Sequence, residues 1–176
     1  LIHEYKRLAG PVMLIVNFLY TIPSISMLGL LLYVSGVGNT TAIIALVIYA
    51  LLPMVRNTFT GLDQIKSDMR EAGIALGLTR LQRLWSIEIP LAMPTIMAGI
   101  RTMLVMTIAL TGIASFIGAG GLGVAIYRGI TTNQSALTIA GSLLIALLAV
   151  VVDMLFFLGE RVTRISPHMK RYNIVF

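Results

Sequence analysis

Few residues in this chain of 176 are suited to catalysis or to metal binding, and those few lie far apart. There is no cysteine, which excludes thiolate metal sites and cysteine nucleophiles. The two histidines, His3 and His168, lie near opposite ends and do not suggest a metal cluster. An intramembrane serine or aspartyl enzyme would need a base or a second carboxylate at membrane depth, and Asp153 is the only acidic residue within the long apolar segments. The sequence therefore predicts neither an enzyme nor a metal site.

Three glycines, Gly118, Gly120 and Gly123, satisfy the G-x-G-x-x-G spacing of dinucleotide-binding loops. Such a loop needs a strand before it, a helix after it and an acidic residue about twenty positions further on. Here an apolar helical segment precedes the glycines and no carboxylate follows until Asp153, so we expect a tight turn packed against protein. The chain also lacks a G-x-x-x-x-G-K-S/T motif and cannot hydrolyse ATP by the P-loop route.

Two charges fall inside apolar segments. Arg101 lies about eleven residues into one of them, roughly 16 Å along a helix axis, where a charge is costly and must face a partner or a wet cavity. Asp153 reaches a similar depth in another segment, so an Arg101–Asp153 ion pair is one hypothesis. The equally weighted alternative is that Arg101 bonds neighbouring carbonyl groups while Asp153 reaches the membrane interface.

The elements that carry these residues are suited to lipid. Hydrophobic residues make up 57% of the chain and charged residues 11%, whereas soluble domains average about 25% charged residues. No charged side chain occurs between Arg7 and Arg56, a length that suits two membrane helices joined by a turn at residues 36–40. We predict an all-α polytopic membrane protein, a single transmembrane domain over residues 1–176. Its four transmembrane helices are expected near residues 11–35, 41–56, 90–113 and 136–158.

The basic residues predict the orientation, because they accumulate on the cytoplasmic side of a membrane protein. With four spans, two precede the first span, five lie around the middle loop at residues 57–87 and four follow the last span. Both termini and the middle loop are therefore expected in the cytoplasm, and the glycine-rich segment outside the cell membrane. The net charge of +6 is explained by this topology and by anionic lipid headgroups, and not by nucleic-acid binding.

The middle loop has the pattern of two short helices joined at a corner. Residues 67–76 can form a helix, and Gly77 stands where a helix end commonly needs a left-handed residue. Thr79 with Gln82 forms a capping-box signature for a second helix. Such an elbow could fit a groove on a cytoplasmic partner. An ordinary solvated loop is the alternative.

The first span contains a helix breaker. Pro23 removes a helical hydrogen bond, so we expect a kink or break near Thr21–Ser24. Broken helices often line the route through transporters. Tyr20, Thr21, Pro23 and Ser24 are therefore candidates for a translocation path, and a packing kink without a role in passage is the alternative.

The loop sequence resembles a known motif. Glu71-Ala72-Gly73, Gly77, Ile87 and Ile89-Pro90 resemble the E-A-A, G, I-x-L-P signature of the membrane subunits of ABC importers, with glycine for the second alanine and isoleucine for leucine. In that family the loop is the coupling helix that docks onto the ATPase. The resemblance implies this role for Glu71, Ala72, Gly73, Gly77, Ile87 and Pro90.

Four further segments resemble the glycine betaine/carnitine/choline branch of these importers, and they extend the resemblance over nearly the whole chain. They are residues 21–24, 53–61, 98–102 and 115–123. Permeases for methionine and other amino acids share the glycine-rich stretch. The resemblance therefore implies a permease for an osmoprotectant, with an importer of methionine or another small zwitterion as the alternative. A channel or scaffold that needs no ATPase is the alternative outside this class.

The resemblance also implies partners. A separate cytoplasmic ATPase dimer would bind ATP and Mg²⁺, since no cofactor site is expected in this chain. Four spans are too few to enclose a route, so a second permease subunit, identical or paralogous, is expected. Recognition of quaternary ammonium groups uses an aromatic cage, but Trp85 lies in the cytoplasmic loop. High-affinity selection is therefore assigned to an extracytoplasmic binding protein.

Overall fold

The computed structural model describes residues 6–164, with side chains from residue 10 to residue 159, and the elements in that range are helices. The predicted all-α class is confirmed. His3 and His168 lie outside the described residues, which hold no group of side chains able to bind a metal ion. In chain order the elements are α1 Lys6–Thr21, α2 Ser24–Ser35, α3 Asn39–Asp63, α4 Ser67–Ala75, α5 Arg80–Arg83, a π-helical turn Leu84–Glu88, α6 Ile89–Ala114, a 3-10 turn Ser115–Ile117, α7 Gly123–Thr131 and α8 Ser135–Arg164.

Three stretches of the described residues are long and apolar enough to cross a membrane: α3, the continuous helical segment around α6, and α8. The pair α1 and α2 passes the same test only when taken together, and its axis bends by 99° at the break between them. Residues 6–164 therefore contain three candidate spans, or four if the bent pair crosses as one broken span. This architecture is that of the polytopic membrane protein expected from composition.

The bend lies where the sequence predicts a break. α1 ends at Thr21 and α2 begins at Ser24, with Pro23 between them. A broken membrane helix is tolerated when its freed polar groups find partners inside the protein. Here the hydroxyl of Tyr49, a buried residue of α3, donates to the carbonyl of Ile22. The bend is therefore secured by a contact with α3.

The centre of the fold is the packing of α3 against α6, and glycines allow the two backbones to approach closely. A Cβ at Gly99 of α6 would lie 2.5 Å from Cβ of Asn57, and one at Gly61 of α3 would lie 3.0 Å from Cβ of Thr95. Small residues at such crossings are typical of helix pairs in membranes.

The boundary between the second span and the middle loop was predicted too early. We placed the span at residues 41–56 and the loop at residues 57–87, but α3 continues to Asp63. The physical reason is that a helix need not stop where its composition becomes polar. Asn57 satisfies its side chain within the helix by donating to the Pro53 carbonyl at 2.8 Å, and Gly61 packs against α6. The last turns of α3 therefore remain helical beyond the apolar stretch.

At the opposite end from the elbow, the glycine-rich segment forms the tight turn expected from the sequence. Gly118 has φ +77° and Gly121 has φ +100°, conformations that favour glycine. The turn is fastened to the start of α3, because Gly120 N–H donates to Asn39 Oδ1 at 2.9 Å. A Cβ at Gly123 would lie 2.7 Å from the carbonyl oxygen of Gly112 in α6. A helix precedes the glycines, so they do not have the strand context of a dinucleotide loop.

The buried core of the described residues is small. One cluster joins Leu28, Ala42 and Ala45 to residues of the glycine-rich segment. Another joins Met27, Tyr49 and Leu52 near the bend. Long apolar side chains of α8 are exposed, as suits a surface that faces lipid or a second subunit. They include Leu143, Leu147, Val150, Met154 and Leu155.

Candidate coupling elbow and translocation path

The elbow consists of α4, a glycine corner and α5. The corner is closed by backbone hydrogen bonds from Gly77 N–H to the Ile74 carbonyl at 2.9 Å and from Leu78 N–H to the Gly73 carbonyl at 3.1 Å. Gly77 has φ +73° and nothing within 4 Å of a Cβ built on it. The corner therefore depends on the left-handed backbone of glycine and not on lack of space.

The second half of the elbow begins with the predicted capping box. Thr79 Oγ1 accepts from Gln82 N–H at 3.4 Å, and Gln82 Oε1 accepts from Thr79 N–H at 2.9 Å. Both otherwise free backbone donors are satisfied, which fixes the start of α5 directly after the corner.

Two of the six predicted coupling residues meet inside the elbow. Gly73 is buried, and a Cβ on it would lie 3.0 Å from Ile87 Cδ1 and 3.2 Å from Arg83 Cγ. Pro90 is the second residue of α6 and directly follows the π-helical turn. Glu71 and Ala72 are exposed on α4. The motif residues thus divide into an inner set that seats α4 and an outer set that is available to a partner.

A buried carboxylate lies beside this contact. Glu88, at the end of the π-helical turn, is 2% exposed. Arg83 Nε donates to its Oε1 at 2.9 Å, and Arg70 Nε of α4 lies 3.8 Å from the same oxygen. Arg70 also donates through Nη2 to the carbonyl of Leu62 in α3. We call Arg70, Arg83 and Glu88 the elbow cluster.

The elbow carries large apolar side chains that remain exposed among the residues that the structure describes. They project from α4, the glycine corner, α5 and the π-helical turn. We call them the elbow surface: Met69, Ile74, Leu76, Leu81 and Trp85, which are 42%, 60%, 77%, 66% and 64% exposed. Exposed apolar patches on a polar, charged segment mark protein interaction sites.

The predicted path residues lie at the bend. Tyr20 donates from its hydroxyl to Met106 Sδ of α6 at 3.6 Å, and Thr21 donates from Oγ1 to the Phe18 carbonyl at 2.7 Å. Pro23 occupies the break itself and Ser24 begins α2. Among the four, only Tyr20 lines the cavity described next.

A cavity of about 420 Å³ opens between α1, α3 and α6. Six of its nine lining residues carry polar side chains. The polar lining residues are Asn17, Tyr20, Arg56, Asn57, Thr60 and Thr102.

The structure brings Arg101 of α6 and Asp153 of α8 together. The guanidinium donates from Nε to Asp153 Oδ1 and from Nη2 to Asp153 Oδ2, a bidentate pair. The Arg101 guanidinium also lies over the Phe157 ring, 5.4 Å from its centre. The pair joins two spans across their interface. The alternative, in which Arg101 bonds neighbouring carbonyl groups and Asp153 reaches the membrane interface, does not match this arrangement.

A family model described as "Binding-protein-dependent transport system inner membrane component" matches residues 2–164 of the chain. The chain belongs to this family. The match covers the bend, the elbow and the cavity in one unit, and it identifies the chain as a permease subunit of an ABC importer. Members of the family work with a substrate-binding protein and an ATPase, and the chain is a multi-pass membrane protein.

Named relatives indicate which branch of the family this permease resembles. It is 45% identical over 172 residues to the glycine betaine/carnitine/choline transport system permease OpuCD of Bacillus subtilis, covering 97% of this chain and 74% of the relative. It is 46% identical over 160 residues to the osmoprotectant import permease OsmW of Salmonella typhimurium, covering 88% and 74%. The resemblance to the osmoprotectant branch is thereby confirmed.

A solved structure shares the fold. The permease aligns with an inward-facing methionine ABC transporter, MetNI, with a TM-score of 0.74 and 24% identity, over 92% of this chain and 76% of that one. At this identity the match concerns the arrangement of helices and not the substrate.

Sequence reasoning missed the elbow cluster. The two arginines of this cluster, Arg70 and Arg83, were interpreted as markers of topology, and Glu88 was not considered. One signal was available, since Glu88 stands between Ile87 and Ile89 at the start of an apolar span. A carboxylate in that position requires a nearby cation.

Proposed function

We propose that this permease carries a quaternary amine or related osmoprotectant, of the glycine betaine, carnitine or choline type, into the cell. The support is its 45–46% identity to permeases whose names state these substrates or the word osmoprotectant. The polar cavity between α1, α3 and α6 supplies a place where such a solute passes through an otherwise apolar protein.

The observation that carries the mechanism is the exposed apolar elbow surface at the end of an internally braced elbow. A cytoplasmic ATPase dimer, which binds ATP and Mg²⁺, docks onto this surface. Glu71 and Ala72 stand on the same helix α4 and are free to contact it. Closure and opening of the ATPase then move the elbow, and the two sides of the membrane are exposed in turn.

Two permease copies, identical or paralogous, form the route together. The exposed apolar faces of α2 and α8 are available for lipid and for this second copy. The complex lies in the plasma membrane, with the elbow and both termini in the cytoplasm; the basic residues around the elbow support this orientation.

Selection of the solute belongs to an extracytoplasmic binding protein. Trp85 lies on the elbow, and the tyrosines of the spans are dispersed: Tyr33 is 94% exposed whereas Tyr49 is buried and bonded to the bend. They do not converge on one point as an ammonium cage requires. The permease itself therefore supplies the gated path.

Docking is tested with a matched pair of glycine variants. Gly77→Leu and Gly36→Leu both place a side chain on a backbone with positive φ, +73° and +77°, and nothing lies within 4 Å of either Cβ. Such conformations cost a residue other than glycine about 1–3 kcal/mol. We expect only Gly77→Leu to lose the ATPase on co-purification and to stop uptake, while both variants insert into the membrane. Equal retention of the ATPase by the two variants would contradict docking at the elbow.

The substrate class is tested by uptake into cells that express the whole complex. Glycine betaine, carnitine and choline, each in excess, should compete with one another for uptake. Competition by methionine alone would favour the small-zwitterion importer. Uptake that persists with an ATPase unable to hydrolyse ATP would favour a channel.

A further inference from the structure

The elbow joins α6 through an irregular turn of helix. Residues Leu84–Glu88 form a π-helical turn, in which Ile89 N–H bonds to the Leu84 carbonyl five residues earlier. Such turns are rare, wider than an α-helix and frequent at functional sites. A side-chain contact across this turn would join the elbow to α6 in addition to the backbone.

The elbow cluster supplies that bridge. Arg83 precedes the π-helical turn and Glu88 ends it, so their 2.9 Å contact spans the whole turn. The contact is shielded, because the Glu88 side chain is 3% exposed and that of Arg83 is 14% exposed. Ion pairs in such surroundings are screened far less than exposed ones.

The same carboxylate reaches two further elements. Arg70 comes from α4, with Nε 3.8 Å from Glu88 Oε1, and its Nη2 donates to the Leu62 carbonyl of α3. Gly73 lets α4 lie against Arg83 and Ile87 without a side chain between them. One buried group thus connects α4, the turn, α6 and the end of α3.

We propose that Glu88 is a positioning residue that holds the elbow, α6 and the end of α3 as one rigid body, so that a displacement of α4 reaches the two central spans. This inference rests on the proposed docking of an ATPase at the elbow. The alternative role is that of a fold anchor that affects the amount of protein and not the coupling. The two roles differ in the amount of solute carried per ATP hydrolysed.

The test uses the assembled complex in proteoliposomes and compares wild type with Glu88→Gln, which keeps the size of the side chain and removes its charge. We expect transport per ATP hydrolysed to fall about two- to thirtyfold, the range found when residues of a coupling network are altered. Glu88→Asp, which restores the charge on a shorter stem, should recover part of this loss. Asp63→Asn, an exposed carboxylate at the end of α3, is the matched control and should leave the ratio unchanged.

A distance measurement tests rigidity directly. The chain has no cysteine, so spin labels can be placed at Ser67→Cys on α4 and Leu91→Cys on α6, both exposed. Labelled chain is diluted into unlabelled chain so that distances within one copy are read. We expect a narrow distribution in wild type and a broader one in Glu88→Gln.

Three results would overturn the proposal. They are unchanged transport per ATP hydrolysed in Glu88→Gln, an unchanged distance distribution between α4 and α6 in that variant, and an equal loss of transport per ATP hydrolysed in Asp63→Asn. If Glu88→Gln fails to assemble, Arg83→Gln removes the same bridge while leaving Arg70 beside the carboxylate, and the same outcomes apply. The distance measurement needs no ATPase. A wild-type complex that does not transport would contradict the proposed function, while the distances would still decide whether Glu88 makes the elbow rigid.

Discussion

The two places where arginine meets a carboxylate differ in their surroundings, although the chemistry is the same. In the elbow cluster, the Glu88 side chain is 3% exposed and two arginines approach it. In the spans, the side chains of Asp153 and Arg101 are 31% and 38% exposed and form a single pair. The more deeply buried ion pair thus lies at the elbow, and the more open one lies between membrane helices.

This difference indicates separate roles. A buried carboxylate that bridges several elements resists relative movement, since separating its partners leaves charges without compensation. The more open pair connects α6 to α8, with the Phe157 ring beneath the guanidinium. Its exposed edges face whatever surrounds these two spans in the membrane, and the pair holds fewer elements together than the elbow cluster does.

The largest expected effect is that of Glu88→Ala. It removes the buried carboxylate that Arg83 and Arg70 approach, and breaking a buried ion pair in this way costs about 3–5 kcal/mol. We expect a clear fall in the Tm of the detergent-solubilised complex and in the yield of folded protein. Asp153→Ala is the comparison variant and should lower Tm less. An equal fall in Tm for the two variants would contradict the expectation that the more buried carboxylate contributes more to stability.

A smaller effect on Tm is expected for Asp153→Asn, because both side chains of this pair are less buried than Glu88 and asparagine can still accept a hydrogen bond from Arg101. The measurement is a double-mutant cycle of Tm with Asp153→Asn, Arg101→Gln and the combined variant. Since the two side chains contact each other in the structure, the combined variant should lose less than the sum of the single losses. Additive losses would show that the pair contributes no coupling between α6 and α8.

The features predicted correctly from sequence are those with local causes. The break at Pro23, the left-handed corner at Gly77 and the capping box at Thr79 each follow from the conformational limits of one or two residues. The apolar composition likewise predicts helices that cross a membrane. These signals need no knowledge of what packs against them.

The features missed depend on packing between distant segments. The end of α3 was misplaced because its polar turns are held by Gly61 against α6, a contact that local composition does not reveal. Glu88 was missed because its partners lie five and eighteen residues earlier in the chain and meet it only through the π-helical turn. The sequence shows that Glu88 carries a charge, but only the fold shows that this side chain is buried.

The smallest expected effect is that of Gly73→Ala, which changes packing in the elbow without touching a charge. The added methyl would lie 3.0–3.2 Å from Ile87 Cδ1 and from Arg83 Cγ and Cδ, all parts of flexible side chains. Crowding there is offset by the gain of about 0.5–1 kcal/mol when alanine replaces glycine within a helix. We therefore expect a Tm close to wild type and normal transport per ATP. Gly73→Leu cannot be accommodated in the same space and should push Arg83 away from Glu88, lowering the ratio as Glu88→Gln does. If Gly73→Ala already lowered that ratio, close seating of α4, rather than the ion pair, would be what makes the elbow rigid.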